Sequence, residues 1–345
     1  MKHLDTVQSL FSGRKLAIPI LLGLAVSVYF MSKGDLIQSV TSIRLQNSNL
    51  SWLILALAMV LFRLFGYMYR LRILSDKDIT WKASFQITAL WEFASAVTPG
   101  IVGGTAVALG IISQEKKINF GRTTAIVMAT SYLDALFYIV CIPVLIPFVG
   151  LASQIPENVG PFSGSTMLNY YLLVYSLLVV WTFLMHLGLF LKPRVVGSVI
   201  DSVFNLKFLK RWKKQAFKWK GELLIASKEL KNKGIWFWCK SFFATSVAWI
   251  ARFALVNFLI LALGNGSAVW AIFVKQLIMW GALMIPITPG SSGMAELLFS
   301  SFLMEYFQNG GIANTASIIW RLISFYPYIL TGVIILPLWV SRIKK

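Results

Sequence analysis

The ionisable residues in the apolar stretches of this sequence include Glu92, Asp134, Glu296, Arg63, Arg252 and Arg321. A charge at the bilayer centre costs about 2.5–3.5 kcal/mol on insertion scales, so such side chains face protein or a watery cavity. Two readings follow. As working groups, Glu92 and Glu296 would line a translocation cavity, contacting a cationic headgroup or carrying a proton. Arg63 and Arg252 would then fork onto a phosphate. As structural groups, the arginines would pair with Glu92, Asp134 or Glu296 and hold the fold together. The residue types leave both open. Lys275 is expected to snorkel, with its stem in apolar surface and its ammonium in water.

The carboxylates have a fixed relation to two chain breaks. Glu92 lies seven residues before Pro99, in Thr98-Pro99-Gly100-Ile101-Val102-Gly103-Gly104, and Glu296 seven after Pro289, in Thr288-Pro289-Gly290-Ser291-Ser292-Gly293. Proline inside a helix costs about 3 kcal/mol, and glycine about 1, relative to alanine. The apolar stretches 83–112 and 269–307 therefore predict paired half-helices. An arm of about 14 residues is about 21 Å long, short of a hydrocarbon core of about 30 Å. Glycine-rich tips let backbone approach backbone or ligand, and helix N-termini beside them offer N–H groups to an anion. Tight packing through Gly103, Gly104 and Gly293 would use the same residues.

The elements that must position these groups are membrane spans. Of the 345 residues 57% are hydrophobic, and 13% are charged, where a soluble chain carries roughly a quarter. Apolar runs at 16–31, 51–69, 123–149, 168–191, 241–263 and 317–340 predict an all-α polytopic membrane protein of about six full spans plus two re-entrant hairpins. The first run has basic flanks but no small-x-small cleavage site, so an uncleaved span is expected rather than a signal peptide. The net charge of +19 is explained by orientation: residues 192–240 carry 13 Lys and Arg against Asp201, Glu222 and Glu229, while 150–167 carry none. The positive-inside pattern places 192–240 and both termini in the cytoplasm, of a bacterial cell by expectation, and nucleic acid is not needed.

Charge parity then sets the hairpins. Arg70, Arg72, Lys77 and Lys82 precede the first, and Lys116, Lys117 and Arg122 follow it, so both its ends are expected in the cytoplasm. The flanks of the second lack Lys and Arg, which places its ends outside. Thr-Pro-Gly-x-x-Gly occurs in both; Arg63 precedes Pro99 by 36 residues and Arg252 precedes Pro289 by 37. Asp134 with Tyr138, and Arg321 with Tyr326, mark the span after each. One membrane domain over 1–345, with inverted repeats at 51–149 and 241–340, is expected, which is a transporter architecture. In the basic loop, Leu209, Trp212, Ala216, Trp219 and Leu223 share one helical face, and Lys207, Arg211, Lys214 and Lys218 another. That pattern predicts an interfacial helix favouring anionic lipid.

No nucleophile–base grouping, P-loop or dinucleotide motif occurs. Cys141 and Cys239 give no disulfide framework, and His3 and His186 no metal site. The expectation is a chain without catalytic residues, metal or cofactor, and not an enzyme.

The segments Glu92-Phe93-Ala94-Ser95-Ala96-Val97-Thr98-Pro99-Gly100 with Gly103-Gly104, and Pro289-Gly290-Ser291-Ser292-Gly293-Met294-Ala295-Glu296, resemble the lysylphosphatidylglycerol synthase transmembrane or flippase-like family. The resemblance covers about 15–340 and includes the membrane half of the multiple peptide resistance factor. It implies a lipid translocase moving a phospholipid, anionic or aminoacylated, between leaflets, in which Glu92, Pro99, Gly100, Gly103, Pro289, Gly290, Gly293 and Glu296 line or shape the path. A synthase domain is expected to be missing, so the chain is not expected to make the aminoacyl lipid. Thr105-Ala106-Val107-Ala108-Leu109 lacks an arginine that many relatives carry, which leaves a glycolipid or polyprenyl phosphate open as cargo. A small-solute or ion transporter, or an accessory subunit of lipid-linked glycan synthesis, fits the same architecture. So does a homo-oligomer.

Overall fold

The computed structural model describes residues 47–98, 100–115, 118–191, 213–266, 268–284 and 289–344, with 195, 198 and 202. The run 16–31, Pro99, Thr288 and the loop residues Lys207, Leu209, Arg211 and Trp212 lie outside that set. The helices are α1 (Asn47–Leu74), α2 (Trp81–Val97), α3 (Gly100–Ile112), α4 (Phe120–Val149), α5 (Gly164–His186) and α6 (Lys213–Lys231). They continue as α7 (Ile235–Leu263), α8 (Val269–Ala282), α9 (Met294–Leu303), α10 (Gly310–Ser324) and α11 (Tyr326–Lys344). A two-residue hairpin ladder, Asn158–Val159 with Phe162–Ser163, interrupts the helical order between α4 and α5. The chain is an all-α polytopic membrane protein.

Local sequence explains the boundaries. Thr80, Asn119, Ser163 and Asn309 each accept a backbone N–H from three residues on, capping α2, α4, α5 and α10. Such caps satisfy one of the orphan donors that every helix start leaves. Five described stretches are long and apolar enough to cross a membrane: Asn49–Leu74, Phe120–Val149, Gly164–Leu191, Ile235–Leu263 and Gly310–Ile343. The last differs from expectation. The span expected over 317–340 is broken at Phe325 (φ −121°, ψ −56°) into α10 and α11. Pro327 has no N–H to give a continuous ladder and its ring would crowd the carbonyl one turn back, which favours a break there.

Two pairs of short helices lie between the long ones, α2 with α3 and α8 with α9. They have 17, 13, 14 and 10 residues, about 15–25 Å at 1.5 Å per residue. The two ends of the first pair meet, because Arg122 before α4's second turn bonds Asp78 (2.7 Å) and Asp76 (3.2 Å) in the turn before α2. The ends of the second pair meet as well: the Asn265 N–H donates to the Tyr306 carbonyl at 2.9 Å. Four-helix order recurs along the chain, as α1–α2–α3–α4 and as α7–α8–α9–α10/α11.

The leading helices of the two series, α1 and α7, pack most extensively. A Cβ on Gly66 would stand 2.8 Å from the Ala244 carbonyl oxygen and 2.9 Å from Ala248 Cβ. Small residues at such a contact let backbones approach without a solvent-driven hydrophobic effect. α11 packs on α2, where Phe93 fills the space beside Gly332. Two apolar cores result, one around α7–α10 and one around α2, α3 and α11. Large apolar side chains remain outward on α1, α5 and α11, among them Leu61, Phe62, Leu173, Phe183 and Ile334.

Candidate functional site

The tips of the two short-helix pairs meet. Gly290, at φ +58°, leaves so little room that a Cβ would stand 2.6 Å from the Ala96 carbonyl and 2.6 Å from Phe325 Cζ. A left-handed backbone without a side chain is what glycine supplies at no steric cost. Beside this junction lies a cavity of about 430 Å³, lined from both series by residues of α1, α2, α4, α7, α8 and α10.

Its charged lining is Arg63, Arg70, Glu92, Asp134, Arg252 and Arg321. Arg63 bonds Glu92 directly, and its guanidinium lies 4.8 Å from the centre of the Tyr328 ring. Arg70 donates to Asp134 Oδ1 at 2.5 Å and to Thr245 Oγ1 at 3.2 Å; the Trp249 indole N–H donates to the same Asp134 oxygen at 2.8 Å. Arg321 Nε donates to Glu296 Oε1 at 2.9 Å, and its Nη2 to the Gly290 carbonyl at 2.9 Å and Ser292 Oγ at 3.2 Å. Three arginine–carboxylate pairs therefore surround the site.

Arg252 is different. Among the described residues no carboxylate lies within ion-pairing distance of it. Its guanidinium packs over the Trp280 ring at 3.6 Å and the Trp249 ring at 5.1 Å. The ring faces attract the cation without neutralising it. Four arginines thus line the cavity against the carboxylates Glu92 and Asp134, with Glu296 behind the tip. Tyr138 Oη, Tyr328 Oη and Arg63 Nε are buried and have no hydrogen-bond partner among the described residues.

The sequence-derived candidates separate accordingly. Arg63, Glu92, Thr98, Asp134, Arg252, Gly290 and Arg321 line the cavity. Thr98 ends α2, its hydroxyl donating to the Ala94 carbonyl at 2.6 Å. Glu296 stands in the fold rather than in the wall: it is buried, accepts the Gly293 N–H at 2.7 Å, and holds Arg321. Gly293 has φ +88°. Gly104 sits where Ser95 Oγ would be 2.0 Å from a Cβ, a close contact of α2 with α3. Gly100 and Gly103 lie in the first turn of α3, and Pro289 opens the turn Pro289–Ser291.

Two expectations are corrected. Lys275 does not reach solvent: it is 3% exposed and bonds Glu305 at 3.2 Å and the Gln154 carbonyl at 3.3 Å. Burial with a carboxylate and a carbonyl replaces water as its partner. Arg70, counted by sequence among the cytoplasmic cations preceding the first hairpin, is buried in the cavity wall. Its signal was there: it follows Arg63 by seven residues, two helical turns on one face. Trp249 and Trp280 carry no such signal, because an aromatic residue in an apolar run is ordinary.

Comparison with known sequences agrees with this architecture. A protein of Archaeoglobus fulgidus described as a UPF0104 membrane protein is 24% identical over 332 residues, covering 92% of this chain and 94% of that one. The family model described as the lysylphosphatidylglycerol synthase TM region matches residues 15–332. With its described spans and paired short helices in place, the chain belongs to the lysylphosphatidylglycerol synthase transmembrane-region family.

Proposed function

We propose that the chain is a lipid translocase that passes a phospholipid headgroup, anionic or aminoacylated, through the cavity between the two hairpin tips. The observation that carries this is the cavity's side wall. Trp181 of α5 lines the cavity and is also 54% exposed on an apolar outer face with Leu177, Val180 and Phe183. A charged chamber that shares a residue with a lipid-facing surface suits a substrate whose head enters while its tails stay in the hydrocarbon.

On this reading the two series are inverted repeats, the hairpins re-enter from opposite faces, and the ends joined by Arg122, Asp76 and Asp78 lie in the cytoplasm. Positive-inside orientation supports that side, through the lysines of α6. The membrane is the cytoplasmic one, with both termini on its inner side. The chain moves its substrate without making or breaking a bond, and alternation between two cavity openings is the route. Leaflet asymmetry or a proton gradient would drive it.

The test is reconstitution into liposomes with headgroup-labelled phosphatidylglycerol and lysylphosphatidylglycerol, followed by outer-leaflet quenching. Exchange of either label should exceed that of protein-free vesicles, and Arg63→Ala, in protein that keeps its folded elution profile, should slow it at least about tenfold, since the pair it breaks is buried. No acceleration for either label, together with uptake of a soluble anion, would overturn lipid movement in favour of solute transport.

A further inference from the structure

We infer that the cavity selects a phosphate-bearing lipid whose headgroup carries no ammonium, and disfavours the aminoacylated form. This deepens the translocase reading and rests on it. It departs from the substrate that the family's description would suggest.

The argument is one of charge and donor supply. Both carboxylates that line the chamber are engaged: Glu92 with Arg63 and Asp134 with Arg70 and Trp249. The third, Glu296, is buried behind the tip with both oxygens occupied, by the Gly293 N–H and by Arg321. An incoming ammonium would share Glu92 or Asp134 with an arginine that already balances its charge, and would stand beside that like charge.

The unspent groups are donors instead. Arg252 has no carboxylate partner among the described residues and is fixed between Trp249 and Trp280. Among the described residues the Arg63 Nε–H has no acceptor, and Tyr138 and Tyr328 hold buried hydroxyls without a partner. Tyr138 packs edge-on to Trp249, at 5.1 Å between ring centres, and so belongs to the same aromatic wall as Arg252. A guanidinium of that kind can take two phosphate oxygens at once, and the tyrosine hydroxyls can serve the ester oxygens or a glycerol hydroxyl. A phosphodiester supplies the missing acceptors and cancels the uncompensated charge. A lysyl ester brings two further ammonium groups into a chamber lined by four arginines, a like-charge juxtaposition that rejects a wrong partner.

Calorimetric titration of the detergent-purified protein separates the cases. The probes are dihexanoylphosphatidylglycerol, its lysyl ester and inorganic phosphate, against wild type, Arg252→Gln and Arg252→Lys. The inference expects the unmodified lipid to bind at least about tenfold more tightly than the lysyl ester, and Arg252→Gln to lose about that factor. Arg252→Lys should retain part of it, because the charge stays while the fork is lost. Equal or tighter binding of the lysyl ester, binding of the unmodified lipid that Arg252→Gln leaves unchanged, or no binding of any lipid would each overturn it. Inorganic phosphate binding as tightly as the lipid would assign the site to a soluble anion and overturn it too. Failure of translocation is read apart from this: selective binding without leaflet exchange sinks the translocase reading alone, and exchange that favours the lysyl lipid sinks the selectivity alone.

Discussion

Two arginines at the same cavity have opposite relations to stability. Arg321 satisfies Glu296, the Gly290 carbonyl and Ser292, and both charged partners are almost completely buried. Removing one member of such a pair leaves an uncompensated buried charge, at a cost of about 3–5 kcal/mol. Arg321→Ala should therefore lower the thermal midpoint in detergent markedly, and Arg321→Ala combined with Glu296→Gln should recover part of the loss. Arg252 has no carboxylate to orphan among the described residues, so Arg252→Gln should change stability by no more than about 1–2 kcal/mol, the worth of its contacts with the Trp249 and Trp280 rings. Thermal scans of the three variants check both statements, and equal destabilisation by Arg252→Gln would show that Arg252 holds the fold. The sequence told where these charges lie but not which reading applied, because pairing is a property of neighbours. Glu92 and Glu296 occupy matched positions about seven residues from their prolines. Yet the first stands in the cavity wall, and the second is a cap and clamp behind the tip.

At the scale of elements, proline and glycine were the legible part. Thr98–Gly104 and Thr288–Gly293 forecast two interrupted stretches, and α2/α3 and α8/α9 are separated there. The tips nevertheless differ in backbone. In the first, α2 ends at Val97 and α3 begins at Gly100, while the second contains a separate turn with Gly290 and Gly293 at positive φ. The break at Phe325 escaped notice because Tyr326-Pro327 sits within an otherwise apolar run, and a lone proline is tolerated in many membrane helices. Two glycines separate tip geometry from generic helix content. Gly290→Ala would place a Cβ 2.6 Å from the Ala96 carbonyl at φ +58°, so it should part the tips and strongly reduce folded yield or leaflet exchange. Gly221, in α6, has nothing within 4 Å of a Cβ, and Gly221→Ala should raise stability by up to about 1 kcal/mol through helix propensity. Folded yield and thermal midpoint read both, and a harmless Gly290→Ala would remove the tip contact from the argument.

For the molecule as a whole, the ion pairs that tie helix ends are unequally shared. One end carries Arg122 with Asp76 and Asp78, Lys233 with Asp76, Arg342 with Glu115, and Glu222 accepting the Gly121 N–H. These join the turn before α2, the start of α4, the α6–α7 turn and the end of α11. The opposite end carries Lys275 with Glu305 and the Gln154 carbonyl. If access to the cavity alternates, the first network must part when the cavity opens to that side, because the same helix ends would have to separate. Its members are partly exposed, so each pair contributes little alone, of order 0–1 kcal/mol, and a shift of a two-state equilibrium by that amount changes the open population severalfold at most. Ser131 lines the cavity and offers a reporter. With Cys141→Ala and Cys239→Ser removing the native thiols, Ser131→Cys in nanodiscs can be labelled by a membrane-impermeant maleimide. Adding Arg122→Ala, which releases Asp76 and Asp78 together, should speed labelling about two- to fivefold, and raised salt should narrow that difference by screening the intact pairs. An unchanged rate at low salt would mean that this network fastens the scaffold and that the movable wall lies elsewhere, with α5 and its Trp181 the next element to examine.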